Sequence, residues 1–84
     1  MDDNMVDGIG IYPNPSSEEF FMDLSKISEP VEISILDCTG KMIETKTVLA
    51  DEVLFGANYL PGIYLVIVRT GTDFRVFKIV KQTI

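Results

Sequence analysis

Apolar residues recur along this chain with a period of two, in short runs separated by Gly, Pro, Asn and Asp, which is the pattern of β-strands joined by turns. The heaviest run is Gly62-Ile63-Tyr64-Leu65-Val66-Ile67-Val68-Arg69. It is followed, after Thr70-Gly71-Thr72, by Asp73-Phe74-Arg75-Val76-Phe77-Lys78-Ile79-Val80-Lys81. Both arms are rich in β-branched and aromatic residues, so the pair predicts a closing hairpin. The unbroken apolar stretch Ile63 to Val68 predicts a central strand with apolar groups on both faces.

Five further strands are predicted upstream. Residues 8–12 form a short first strand, stopped by Pro13-Asn14-Pro15, whose two prolines remove backbone donors and impose an extended corner. Asn14 is expected to bond locally to backbone there. Residues 18–24 form the second, with Phe20, Met22 and Leu24 on one face and Phe21 on the other. Residues 31–37 alternate cleanly, Val31, Ile33 and Ile35 inward, Glu32 and Ser34 outward. Asp37-Cys38-Thr39-Gly40 then fits a type I turn ending in a left-handed Gly, the G1-bulge hairpin. The returning strand, 41–49, is expected to face inward with Ile43, Thr45, Thr47 and Leu49, and outward with Glu44 and Lys46. Residues 52–55 make a brief fifth strand, and Leu60-Pro61-Gly62-Ile63 reads as a type II turn. Seven short strands and no sustained 3.6-residue period predict an all-β, antiparallel, immunoglobulin-like β-sandwich. The Cys…Trp…Cys hallmark of antibody domains is missing.

The 84 residues are enough for one small domain, placed at 8–84 behind a flexible acidic leader at 1–7. The net charge of −6 argues against nucleic acid and against an anionic membrane surface. That charge is unevenly spread. Residues 1–52 carry 12 carboxylates against 3 basic groups, or −9, and residues 53–84 carry Asp73 against Arg69, Arg75, Lys78 and Lys81, or +3. Charge balance between neighbouring strands is the commoner cause of such a split, and a basic docking strip is the sharper one. The leader has no signal-peptide pattern, and no apolar run is long enough to insert in a membrane. One cysteine excludes an internal disulfide.

Little in the chain suits catalysis. There is no His, which removes the commonest general base and metal ligand together. Glu18 and Glu19 are neighbours on a strand and point to opposite faces, so they cannot share a substrate. Cys38 sits beside Asp37, which opposes a thiolate. Asp3, Asp7 and Gly8 faintly suggest a calcium loop, but Met5 takes a required oxygen position and Asn14 stands where a Glu is needed. No enzyme and no cofactor are expected. Tyr12, Tyr59 and Tyr64 could form a platform for sugars, although filling core and rim is the commoner role.

Four motifs in order carry a resemblance. They are Tyr12-Pro13-Asn14-Pro15, Asp37-x-x-Gly40-Lys41, Leu60-Pro61-Gly62-Ile63-Tyr64, and Lys78-Ile79-Val80-Lys81, three residues from the end. Over roughly residues 9–82 the chain resembles the C-terminal sorting domain of the type IX (Por) secretion system. The resemblance implies a seven-stranded sandwich at the end of a larger cargo protein. It implies passage through the periplasm, then recognition by the outer-membrane translocon and its shuttle proteins. Cleavage by a sortase-like peptidase and delivery to the cell surface or the medium would follow. The family's motif positions fall on Pro13, Asn14, Pro15, Asp37, Gly40, Lys41, Gly62, Tyr64, Lys78 and Lys81, of which the turn residues Gly40 and Gly62 are expected to be structural. Lys78 and Lys81, three apart on a strand, point to opposite faces, and one of them, with Arg75, is expected to offer charge to a receptor. A homodimer by strand exchange or edge pairing is a further expectation. The competing readings are a carbohydrate-binding or adhesive module, which needs coplanar exposed aromatics, and a plain spacer.

Overall fold

A computed structural model describes residues 8–71 and 73–83. They form seven strands in two antiparallel sheets with no helix: β1 Gly10–Tyr12, β2 Phe20–Asp23, β3 Val31–Asp37, β4 Met42–Val48, β5 Glu52–Phe55, β6 Gly62–Thr70 and β7 Asp73–Lys81. The smaller sheet runs β1-β2-β5 and the larger β4-β3-β6-β7. The expected all-β sandwich is therefore the observed one. The expected leader at 1–7, and the Asp3 and Asp7 of the calcium reading, lie outside the described residues.

The period-two pattern sets the core. Phe20 and Met22 on β2, with Leu24 just past its end, and Val53 and Phe55 on β5, face Val31, Ile33 and Ile35 on β3 and Tyr64, Val66 and Val68 on β6. Ile79 on β7 completes the layer. The Phe20 and Phe55 rings stack with centroids 5.5 Å apart, and Tyr59 meets Phe55 edge-on at 6.4 Å. Gly56, after β5, makes room for this cluster. Its φ is +86°, and a Cβ there would sit 2.8 Å from the Phe20 ring. Only glycine satisfies both conditions.

Two expectations are corrected. β4 faces the other way: Ile35 pairs with Glu44, Ile33 with Lys46 and Val31 with Val48, so Glu44, Lys46 and Val48 share the core side. Ile43, Thr45, Thr47 and Leu49 are exposed. The cause is a second bulge. Leu36 pairs with Met42 and Ile35 with Glu44, leaving Ile43 as an extra residue, and one extra residue exchanges the faces of the strand. Glu44 and Lys46 lie at the rim, joined by a 3.3 Å ion pair, and Tyr59 donates its hydroxyl to Glu44 at 2.7 Å.

The type II turn at 60–63 is the other correction. Gly62 has φ +154°, far from the roughly +80° such a turn needs. It opens β6 and pairs with Lys81. The Leu60 carbonyl instead accepts the buried hydroxyl of Tyr64 at 2.6 Å.

Candidate functional site

The closing hairpin of β6 and β7 has two unlike faces. Tyr64, Val66, Val68, Thr70, Ile79 and Lys81 are buried on the inner one. On the outer one, register sets Ile63 beside Val80, Leu65 beside Lys78, Ile67 beside Val76 and Arg69 beside Phe74. Ile63, Leu65, Phe74 and Val76 are 45%, 37%, 60% and 49% exposed. This is a contiguous apolar surface bordered by Lys78 and by Arg69, whose guanidinium lies 3.6 Å from Glu32. The expected two-faced strand is thus present, and among the described residues no loop covers its outer face.

The corner at 13–15 meets this hairpin at its C-terminal end. Asn14 donates its amide to the Lys78 carbonyl at 2.9 Å and accepts the Val80 N–H at 3.0 Å. The local bond expected of Asn14 is therefore a long-range one. Ser16 continues the line. Its N–H donates to the Val80 carbonyl at 3.0 Å, and its carbonyl accepts from Gln82 at 2.8 Å. Pro13 and Pro15, each after a cis peptide bond, hold Asn14 and Ser16 against the strand without offering N–H groups of their own.

Lys78 and Lys81 do point apart. Lys78 stands on the outer face. Lys81 is 5% exposed and donates its ammonium to the carbonyls of Glu18, Gly56 and Ala57. Among the described residues no carboxylate pairs with it, so three carbonyl dipoles carry the compensation a buried cation needs. The pairing of one lysine with Arg75 as a charged strip is corrected. Arg75 shares the side of Lys81, which is buried, and its guanidinium lies 5.1 Å from the Phe77 ring centroid, across the strand from Lys78.

The Asp37 turn is built as expected. Asp37 Oδ1 accepts from the Thr39 hydroxyl at 2.6 Å and from the N–H groups of Thr39 and Lys41 at 2.9 and 3.0 Å. Gly40, at φ +89°, donates its N–H to the Asp37 carbonyl. These bonds, the Thr39 hydroxyl first, hold the Asp37 carboxyl below its ordinary value. Burial, then Glu44, push the Tyr59 hydroxyl up, so it serves as a donor. Lys41 is exposed.

Register collects the motifs at one end of the larger sheet. Asp37 pairs with Tyr64, Tyr64 with Ile79, and Gly62 with Lys81, with Asn14 against Lys78 and Val80. Asn14 and Lys81 thus act at the same strand end. The sequence did not reveal Ser16 as part of this clamp. It set Lys78 and Lys81 on opposite faces without saying which faces inward, and the acceptors of Lys81 come from segments 24, 25 and 63 residues away.

The tyrosines do not share a plane. Tyr12 stacks on Phe21 at 5.0 Å on the smaller sheet, while Tyr59 and Tyr64 lie together at 4.9 Å with both hydroxyls used internally. Tyr12 and Phe74, the aromatics with most exposure, belong to different sheets. Cys38 is exposed at the tip of the Asp37 turn.

Residues 10–82 match the family described as secretion system C-terminal sorting domain. Among solved structures, the chain is similar to PorZ, described as an essential bacterial surface component of the type-IX secretion system of Porphyromonas gingivalis. The TM-score is 0.77 at 19% identity, over 92% of this chain and 12% of PorZ. That likeness establishes the fold, and this chain spans about an eighth of the PorZ length. No curated protein matches.

Proposed function

We propose, from the premise that this chain belongs to the family of secretion system C-terminal sorting domains, that it is the sorting signal of a larger exported protein. In this reading the cargo crosses the periplasm, and the domain is recognised by the outer-membrane translocon and its shuttle proteins. A sortase-like peptidase then removes it as cargo reaches the cell surface or the medium. It acts by being bound and does no chemistry.

The observation that carries the reading is the outer face of the closing hairpin. Ile63, Leu65, Phe74 and Val76 lie open there beside Lys78. Exposed apolar side chains grouped on a rigid sheet, with cations at their border, suit a protein receptor. The clamp of Asn14, Ser16 and Lys81 holds β7, the strand that carries Phe74, Val76 and Lys78.

The test fuses the chain to a reporter bearing an export signal, in a bacterium with type IX machinery. Ile63→Asp and Leu65→Asp, both on the outer face and away from the sheet edge, should leave the purified domain folded and hold the reporter inside the cell. Surface delivery at the parent level by the folded double variant would refute the proposal.

A further inference from the structure

Each sheet edge offers unpaired backbone groups, and most of these edges are guarded. β1 and β5 are only 3 and 4 residues long. β4 carries Glu44 and Lys46 on its core side and a bulge at Ile43. Short strands, inward charges and bulges all discourage edge pairing. Among the described residues β7 is covered only at its C-terminal end, by Asn14 and Ser16.

The covered groups show which way the strand's other groups point. The N–H and C=O of Val80 and the C=O of Lys78 face the corner. In an antiparallel strand both groups of a residue point to one side, and sides alternate along the chain. The N–H and C=O of Phe74 and Val76, and the N–H of Lys78, therefore face open space. Among the described residues nothing bonds to them. This open stretch ends at Asn14 on one side and at the β6–β7 turn on the other, with Val76 at its middle.

We propose that this stretch pairs with the same stretch of a second copy, antiparallel about a twofold axis at Val76. That register places Phe74 opposite the partner's Lys78, Val76 opposite the partner's Val76, and Arg75 opposite the partner's Phe77. The residues that face open space on each copy then pair with one another, as an antiparallel ladder requires. Cations oppose aromatics, a favourable pairing. The two Lys78 residues end about 14 Å apart along the strands, at about 3.4 Å per residue, beyond the screening length at physiological salt. A register centred on Arg75 would set the two guanidiniums face to face, and is disfavoured. The result is one continuous sheet through both molecules, an isologous dimer whose outer apolar faces adjoin. The proposal is independent of the sorting reading, because its test uses purified protein alone.

The test is sedimentation equilibrium of the 84-residue chain with charge variants at Phe74, a side chain exposed enough to change without disturbing the core. Phe74→Lys sets like charges opposite each other across the axis and should weaken association at least tenfold. Phe74→Asp sets opposite charges and should bind at least as tightly as the parent. In a Cys38→Ser background, Val76→Cys should form a disulfide-linked dimer on mild oxidation, and Arg75→Cys should not. A parent that stays monomeric up to millimolar concentration overturns the proposal. So does an equal effect of the two Phe74 variants, or linkage through residue 75 in place of 76.

Discussion

Lys81 shows how one side chain can tie two layers together. Its ammonium reaches the carbonyls of Glu18, Gly56 and Ala57, from segments flanking β2 and β5, while its own strand belongs to the other sheet. Lys81→Met keeps the stem and strands those acceptors, so it should cost about 2–3 kcal/mol, the range for buried groups left unpaired. Urea unfolding monitored by tyrosine fluorescence measures it, and a change below about 0.5 kcal/mol would mean the clamp is dispensable. Asp37 makes a prediction about pH. Its folded value lies below the ordinary 3.8 because the Thr39 hydroxyl and nearby N–H groups favour the carboxylate. Stability from that carboxylate is therefore complete above the unfolded value and is lost as pH falls through the folded one. An NMR titration should place the Asp37 midpoint below that of a free aspartate. Thr39→Ala, which removes the largest cause, should move it upward, and an unmoved midpoint would contradict the assignment.

At the level of elements, alternation of side chains was enough to find every strand. β3 and β5 begin and end where their patterns do. The G1 hairpin at Asp37 was equally legible, since Asp at the first position and Gly at the last have definite turn chemistry. The facing of β4 was not legible. Ile43, Thr45, Thr47 and Leu49 look like an inward row, and a bulge visible only in the pairing with β3 turns them out. Burial then follows the partner strand rather than local hydrophobicity. The partners of Asn14 were hidden for a related reason. A Pro-Asn-Pro corner announces that the chain will not join its own ladder, but not which strand it will lie beside. Here it is β7, 64 and 66 residues away. Asn14→Ala should cost about 1–2 kcal/mol for the two bonds lost. It should also speed amide hydrogen exchange at Val80 while leaving β3 unaffected, and unchanged exchange at Val80 would show the corner does not guard the edge.

For the whole molecule, the longest strands, β6 and β7, are tied to the corner that leads into β2. β7 is held by Asn14, Ser16 and the carbonyls around Gly56, so the strand that carries Phe74, Val76 and Lys78 is anchored by segments flanking the smaller sheet. Of the site, the sequence exposed the apolar, basic hairpin and the opposed directions of Lys78 and Lys81. It could not distinguish a lysine that greets a receptor from one that staples the core, because the apolar residues of β7 occupy both of its alternating rows and do not mark which row faces inward. The direct measurement is surface display of an export-competent reporter carrying this chain with Ile63→Asp and Leu65→Asp. A folded domain with its reporter trapped inside the cell is the predicted result. Parent-level display from the same folded variant would contradict it.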